Sequence, residues 1–565
     1  MAFSRMASRT TTAAPRARVA SRSRVTPRAA MVAKPVQKTQ SPKDVIFVST
    51  ECAPFSKTGG LGDVVGALPI ELAKRGHRVM SIQPRYDQYA QAWDTSVTIN
   101  IMGEEVRFFH AKIKGVDRVF IDHPSFLEKV WGKTGSKLYG QKSGADYADN
   151  PKRFALFCQA AIEAARCLPF SYGEHATFIA NDWHSGLVPV YLKEVYKPRG
   201  EFKDSKCIFC VHNIAFQGRY TPDTFDQLNL PASSMAKFDF TDGNSKIYDE
   251  TSPADEDEVI KPTGGKFKKV NWMKAAFLSA DRCVTVSPNY AKEVATDDER
   301  GVELSSVINQ VGIEGIVNGM DVIEWNPMTD KYLSLPYDED TVAQGKAVAK
   351  AELQSEVGLP VSPTAPVFGF IGRLEEQKGV DILLKAVPGI VAAGGQVVIL
   401  GTGKKKLEKA VEQLEKSVPG AAGVVKFSQP VAHLITAGAD YMMVPSRFEP
   451  CGLVQLHAMR YGTVPVVASV GGLVDTVKEG KTGFHMGRLD PDTITSEDVQ
   501  AVVSASKAAI DAYPSTFPRM SKACIAQDLS WAEPARKWEG LIEEVVMGTG
   551  TAKKHSVATP VQKVA

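Results

Sequence analysis

No acidic residue occurs before Asp44, and nowhere do the 565 residues run to eighteen consecutive apolar positions. The second absence leaves no candidate for a membrane-spanning helix. The first isolates a head. Residues 1–43 hold seven arginines and three lysines, which leaves 57 of the chain's 67 basic residues against all 64 acidic ones. The formal charge of +3 therefore conceals an acidic body, and nucleic-acid binding loses its main support. Rich in Arg, Ser, Thr and Ala, the head reads as an organelle transit peptide cut between Ala30 and Ser41. Cysteine is scarce too: eight in so long a chain make no disulfide framework. Cys207-Ile208-Phe209-Cys210 has CxxC spacing but lies in a strand-like run. Period-two alternation sends its thiols to opposite faces, so it reads as core packing.

What is present is apolar mass, 44% hydrophobic residues, enough for two cores. Strand-like runs Val45–Ser49, Arg78–Gln83, Thr177–Ala180, Cys207–His212 and Arg282–Ser287 alternate with helical patterns. After a linker-like stretch from Asn318 to Ala365 the alternation restarts at Val367–Ile371, Val397–Leu400, Val424–Phe427, Tyr441–Pro445 and Val464–Ala468. Such βα repeats predict parallel sheets covered by helices on both faces. The fold expected is α/β, two Rossmann-like domains facing a cleft. The boundaries expected are a head at 1–43, domains at 44–315 and 366–526 joined by 316–365, a last helical segment at 527–546 and a disordered tail at 547–565. Ser234–Lys269, polar and rich in Gly and Pro, reads as a surface excursion.

Lys57-Thr58-Gly59-Gly60-Leu61-Gly62-Asp63 stands between a strand pattern and a helical one that runs from Asp63. Glycines let backbone N–H groups approach a ligand, and a helix start favours negative charge. Lys57 adds a cation, and Asp63 suits helix capping or a sugar hydroxyl. The string reads as a phosphate or sugar site. Arg373 and Lys378 follow a strand and suit a diphosphate. Glu449 stands after the run Tyr441–Pro445, where such sheets place ligands. The triplets Asp255-Glu256-Asp257, Asp338-Glu339-Asp340 and Asp490-Pro491-Asp492 lie in polar stretches and read as solvated. Neither a metal nor a cofactor is expected.

These motifs resemble the starch synthases and bacterial glycogen synthases. So do Asn181-Asp182-Trp183-His184-Ser185-Gly186-Leu187, Gly372-Arg373-Leu374-Glu375-Glu376-Gln377-Lys378-Gly379 and Ser446-Arg447-Phe448-Glu449-Pro450-Cys451-Gly452-Leu453. Arg85-Tyr86-Asp87-Gln88-Tyr89, Val211-His212-Asn213-Ile214 and Asn271-Trp272-Met273-Lys274-Ala275 extend the likeness, which runs from about Asp44 to Val546. The resemblance implies a glycosyltransferase B architecture whose final helices cross back onto the first domain. It further implies glucose transfer, with retention, from ADP-glucose to an α-1,4-glucan of a starch granule in the plastid. A granule-targeting protein is a candidate partner; a membrane or nucleic acid is not.

Residue by residue, the likeness implies that Arg373 and Lys378 hold the distal phosphate, that Glu449 serves the reacting sugar and that His184 meets it from the opposite wall. Lys57, Gly59, Gly60 and Asp63 complete the donor site. So do Cys451, Gly452 and Leu453, with Lys426 on the nucleotide and Gly472 through its backbone N–H. In the Glu-x7-Glu pattern of related retaining enzymes the second position is here His457, which points to the ribose or base. Asp149, Asn150 and Arg153 resemble the glucan side. Trp131 and Tyr139 could stack on sugar rings or anchor a loop. A soluble synthase, a phosphorylase of the same architecture and a non-catalytic glucan-binding scaffold are the competing readings.

Overall fold

The computed structural model describes residues 38–130, 137–142, 145–170, 172–243, 267–513, 515–552 and 554–555. The head through residue 37, Trp131, the triplet at 255–257 and the last ten residues lie outside the described residues.

Strands of the first domain form one nine-stranded sheet. Its order is Glu314–Gly315, Arg282–Thr285, Lys206–Val211, Thr177–Asn181, Asp44–Val48, Arg78–Pro84, Val116–Asp122, Glu104–Ile113, Trp93–Ile101. The first seven run parallel, and the last two add an antiparallel meander. Between Pro84 and Thr177 the sequence shows no such strand-like apolar run. Within this meander Trp93–Ile101 is half exposed, so no continuous apolar run marks it.

Alternate residues of the parallel strands face opposite ways. Ile46, Val48, Phe178, Ala180, Cys207 and Phe209 enter one core with the helices Asn150–Cys167 and Trp272–Ser279. Val45, Phe47, Ile179, Ile208 and Cys210 enter another, under the helix Gly60–Lys74. Cys207 and Cys210 thus sit on opposite faces, as the period-two argument predicts. The helix Ala532–Met547 also packs into this second core, through Trp531, Ala535, Trp538, Ile542 and Val545. That spacing of four, three, four and three residues makes one apolar stripe.

The second domain has six parallel strands in the order Ala421–Val425, Gln396–Gly401, Val367–Ile371, Tyr441–Val444, Val464–Val467, Phe484–His485. In chain order this is 3-2-1-4-5-6, a doubly wound sheet. Its topological switch lies between Val367–Ile371 and Tyr441–Val444. The first sheet reverses in the same way between Asp44–Val48 and Thr177–Asn181. Ligands of such sheets bind outside the carboxyl ends at those points, and the motif residues follow these four strands.

Some element bounds differ from those expected. The helix after the glycine string begins at Gly60, with Gly59 at its N-cap. Lys405–Glu412 and Leu414–Ser417 are separate helices. The linker-like stretch contains the helix Val342–Glu356, which packs on Gln429–Gly438. Of the polar excursion, Asp239–Asp242 and Phe267–Asn271 pair with each other, and the latter pairs with Arg219–Tyr220.

Candidate active site

The glycine string is held from inside by Glu51. Its buried carboxylate accepts the Thr58 N–H at 2.7 Å, the Thr58 hydroxyl at 2.5 Å and the Gly59 N–H at 3.3 Å. The Gly59 amide assigned to a ligand is therefore engaged by a carboxylate of the chain itself. A Cβ added at Gly59 or Gly60 would meet no heavy atom of the described residues within 4 Å, so their packing does not require glycine there. That open face is what a sugar nucleotide would need. Lys57 Nζ donates to Asp63 Oδ1 at 2.7 Å. Asp63 is in the first turn and does not cap the helix, because Gly59 occupies the cap. Burial raises its carboxyl, Lys57 opposes that, and Asp321 of the linker-like stretch adds to it.

His184 follows the strand Thr177–Asn181 in a tight 3-10 turn, Trp183–Ser185. The turn is set by Asp182, whose φ is +59° and whose carboxylate accepts the His212 N–H at 2.7 Å and the Asn213 N–H at 3.3 Å. The imidazole stacks on Tyr139 at 4.2 Å and meets the edge of Phe154 at 5.3 Å. Burial, and then the charge of Arg153, push its pKa well below the usual value, so the ring is neutral. Its buried Nδ1 has no hydrogen-bond partner among the described residues. Tyr139 donates its hydroxyl proton to Glu51 at 2.7 Å, which ties His184's stacking partner to the glycine loop.

The three residues assigned to the glucan side divide. Asn150 and Arg153 are buried. Asn150 Nδ2 donates to the Tyr139 carbonyl at 2.9 Å, and Arg153 donates to the Ser125 carbonyl at 2.9 Å and to Asn150 Oδ1 at 2.6 Å. They anchor the loop that carries Tyr139, and their buried polar groups face the chain. Asp149 is partly exposed and paired with Lys129.

On the second domain Lys378 ends a 3-10 turn, Glu376–Lys378, that Gly379 closes with φ +67°. A Cβ at Gly379 would lie 1.9 Å from the Pro445 carbonyl, so only glycine lets this turn approach the neighbouring loop. The approach brings Lys378 Nζ to 2.6 Å from Glu449 Oε2, which also accepts from Ser446 Oγ at 3.0 Å. Arg373 is half exposed and paired with Glu375 at 3.0 Å. Buried Arg447 donates to both oxygens of Asp381 and to the carbonyls of Glu376, Asp490 and Thr493, fastening the Glu449 loop to the Lys378 turn.

The remaining donor residues are placed unevenly. Cys451 is buried, and burial pushes its thiol up to about 12. Gly452 has φ +78° and Leu453 caps the helix Val454–Arg460. The Gly472 N–H donates to the Glu449 carbonyl at 3.2 Å and the Pro450 carbonyl at 3.0 Å. Lys426 is exposed at the end of the edge strand Ala421–Val425, with the strand Gln396–Gly401 between it and the strand before Arg373. His457 stacks on Trp325 at 4.0 Å, and His433 stacks on the same indole at 4.1 Å. Burial, then Lys57 and His433, take His457 down to about 3. Lys57 acts on His457, and Asp321 on Asp63, so the two walls lie within electrostatic reach of each other.

Sequence reasoning missed Glu51, Asp182 and Trp325. Asp182 lies inside the motif that carries His184, and Glu51 stands six residues before Lys57, each just after a strand, a signal that was there to use. Trp325 lies in the linker-like stretch, where nothing in the local pattern singles it out. Among the described residues no group of three His, Cys, Asp or Glu side chains is placed to hold a metal.

Two Rossmann-like sheets with charged loops at both switch points define a glycosyltransferase B enzyme. Residues 44–310 match the model of the starch synthase catalytic domain, and residues 365–503 that of the glycosyl transferases group 1. The chain is 55% identical over 537 residues to granule-bound starch synthase 1, chloroplastic/amyloplastic, of Manihot esculenta, covering 92% of this chain and 86% of that one. It is 53% identical over 543 residues to the protein of the same name in Solanum tuberosum, covering 92% and 87%. Among solved structures, the catalytic domain of starch synthase IV from Arabidopsis thaliana, bound to ADP and acarbose, superposes with a TM-score of 0.73. It is 28% identical and covers 90% of this chain and 100% of that one. Sucrose-phosphate synthase of Thermosynechococcus elongatus shares the fold, with a TM-score of 0.53 at 16% identity over 90% of this chain and all of that one.

The chain belongs to the granule-bound starch synthase family. It is a plastid glucosyltransferase of starch synthesis, and the phosphorylase and scaffold readings fall away.

Proposed function

We propose that the enzyme transfers glucose from ADP-glucose to the 4-hydroxyl at the non-reducing end of an α-1,4-glucan, with retention. The observation that carries the proposal is the Lys378–Glu449 pair at the switch point of the second sheet, with Lys57 and His184 at the switch point of the first. ADP-glucose is the donor implied by the family, and a solved relative binds ADP. The C1–phosphate bond breaks, the acceptor O4–C1 bond forms on the same face, and the acceptor's proton passes to the departing phosphate oxygen. Lys57, Arg373 and Lys378 neutralise the diphosphate. Glu449 balances positive charge developing on the sugar ring, and neutral His184 offers a hydrogen bond to a sugar hydroxyl. Asn150 and Arg153 serve the acceptor side indirectly, by holding the Tyr139 loop, while Asp149 borders it.

Residues 1–43 act as the transit peptide, 44–315 and 366–526 as the two catalytic domains, and 527–546 as the return helix. A granule-targeting protein remains a candidate partner without a surface assigned to it. Incubation with maltooligosaccharide and either ADP-[14C]glucose or UDP-[14C]glucose tests the reading. Label should enter the glucan from the ADP sugar at the higher kcat/KM. Preference for the UDP sugar would overturn the donor assignment, and incorporation from neither would overturn the reaction.

A further inference from the structure

We infer that Glu293, a first-domain residue distant in sequence from the donor motifs, is a positioning residue for the backbone that carries Glu449. The inference rests on the proposed role of Glu449. Glu293 belongs to the helix Pro288–Thr296, and its side chain is 4% exposed. A carboxylate so buried is costly unless its oxygens are satisfied. Here they are satisfied across the domain seam: both lie 3.1–3.2 Å from the Gly471 N–H of the second domain. Asn289 Nδ2 donates to Glu293 at 3.0 Å and to the Gly471 carbonyl at 3.1 Å, so both polar groups of that glycine's backbone are held. Arg488 stands 3.5 Å from the same carboxylate.

What Glu293 holds supports the catalytic loop directly. Gly471, at φ +46°, lies so close beneath it that a Cβ would fall 2.0 Å from the Glu449 carbonyl. The next residue, Gly472, donates its N–H to the Glu449 and Pro450 carbonyls. Ser287 Oγ, at the N-cap of the Glu293 helix, donates to the Pro450 carbonyl at 2.8 Å. Tyr290 of the same helix packs its ring on Phe448 at 5.4 Å. One first-domain helix therefore contacts residues 448, 450 and 471, around Glu449. The glycine turn that sequence assigns to the donor is a strut between the two. Its N–H groups are spent on Glu293 and on the Glu449 loop.

A side chain that sets the height of this strut moves Glu449 relative to the sugar without touching it. A misplacement of about 1 Å can cost up to 10²-fold in rate. The phosphate cations Arg373 and Lys378 sit on another loop, and the strut reaches Lys378 only through Glu449 and Arg447. A cavity of about 400 Å3 lined by Asn289, Lys292, Glu293, Thr296, Asp297 and Arg488 opens beside the carboxylate. Water can follow a substitution there without repacking the apolar core.

The test compares Glu293→Gln and Glu293→Asp with the parent in the full chain. Expected for Glu293→Gln is a kcat at least ten-fold lower, with the Kd for ADP within two-fold and an unchanged Tm. Glu293→Asp, which keeps the charge, should recover part of the loss. Amide hydrogen exchange at residues 449–453 and 471–473 should quicken in Glu293→Gln, and this readout does not depend on the role of Glu449. A kcat within two-fold of the parent with quicker exchange would overturn the functional half of the inference. Unchanged exchange, or losses of kcat, ADP affinity and Tm in parallel, would overturn it entirely. Failure of the Glu449 proposal itself would show separately, as near-normal turnover by Glu449→Gln.

Discussion

Lys378 carries one positive charge and has two anions to serve. It donates to Glu449 at 2.6 Å, and in the proposed reaction it also faces the diphosphate. Charge grows on the phosphate as the C1–oxygen bond breaks, so the lysine's contact strengthens in the transition state. A donor of this kind in a closed site is worth about 10²–10³ in kcat. Lys378→Ala is therefore expected to cut kcat by that amount. Glu449→Gln should cut kcat while ADP affinity holds, because Lys57, Arg373 and Lys378 remain. Equal losses of ADP affinity and kcat in Glu449→Gln would make the carboxylate a mere anchor for the lysine.

His184 yields a pH prediction of definite sign. Burial first, and then Arg153, push its pKa well below 6.5, so the folded ring stays neutral down through the range where a free histidine titrates. Below pH 6.5 the unfolded chain takes up a proton that the folded ring refuses, so this group lowers stability as pH falls. The kcat/KM ratio of the parent to His184→Gln should be flat from pH 6 to 8. A ten-fold change in that ratio near pH 6.5 would show an ordinary, solvated imidazole.

Among elements, what sequence revealed and what it hid have separate causes. Parallel strands are buried on both faces, so Val45–Val48, Thr177–Ala180 and Val367–Ile371 show as unbroken apolar runs bounded by polar loops. Cys207 and Cys210 were sorted correctly by period alone. The meander strand Trp93–Ile101 is half exposed and antiparallel, so its sequence carries no such run. Asn150 and Arg153 were assigned to a ligand because they fit a motif. Only the course of the Tyr139 loop reveals that they hold the carbonyls of Tyr139 and Ser125. The Trp325 stack on His457 was hidden likewise, since it joins positions 132 residues apart.

The final helix offers the sharpest test at this scale. Glu539 accepts from Arg75 Nε at 2.9 Å and pairs with His77 Nε2 at 3.0 Å, and all three side chains are largely buried. Removing one partner of such a pair strands the others, at a cost of about 2–3 kcal/mol after allowing for residual exposure. On the same helix Glu533 and Arg536 form an exposed i,i+3 pair, which solvent and salt screen. Glu539→Ala should lower Tm by several degrees and Glu533→Ala should leave it in place. Equal shifts would mean that the helix is held by its apolar stripe alone.

For the whole molecule, the distribution of the site over two sheets decides how it must work. Lys57 and His184 follow strands of the first sheet, while Arg373, Lys378 and Glu449 follow strands of the second. In the proposed reaction no single domain holds a complete site. The seam between them is fastened at Ser287–Pro450, Asn289–Asp475 and Glu293–Gly471, a short row of polar contacts directly behind the Glu449 loop. On the cleft side Lys57 pairs with its own neighbour Asp63 and Lys378 with Glu449. The described contacts thus tie the domains at the back and leave the front cations paired within their own walls. A diphosphate offered to both walls at once would draw Lys57 and Lys378 together across the cleft, and water would be expelled from between them. The radius of gyration from small-angle scattering should therefore fall when ADP and maltooligosaccharide are added together. It should fall less for Lys57→Ala, which keeps the second-domain phosphate site but lacks the first-domain cation. A radius unchanged by saturating ligands would mean that the walls already stand at their working distance, and Lys57 would then lose its part in closure.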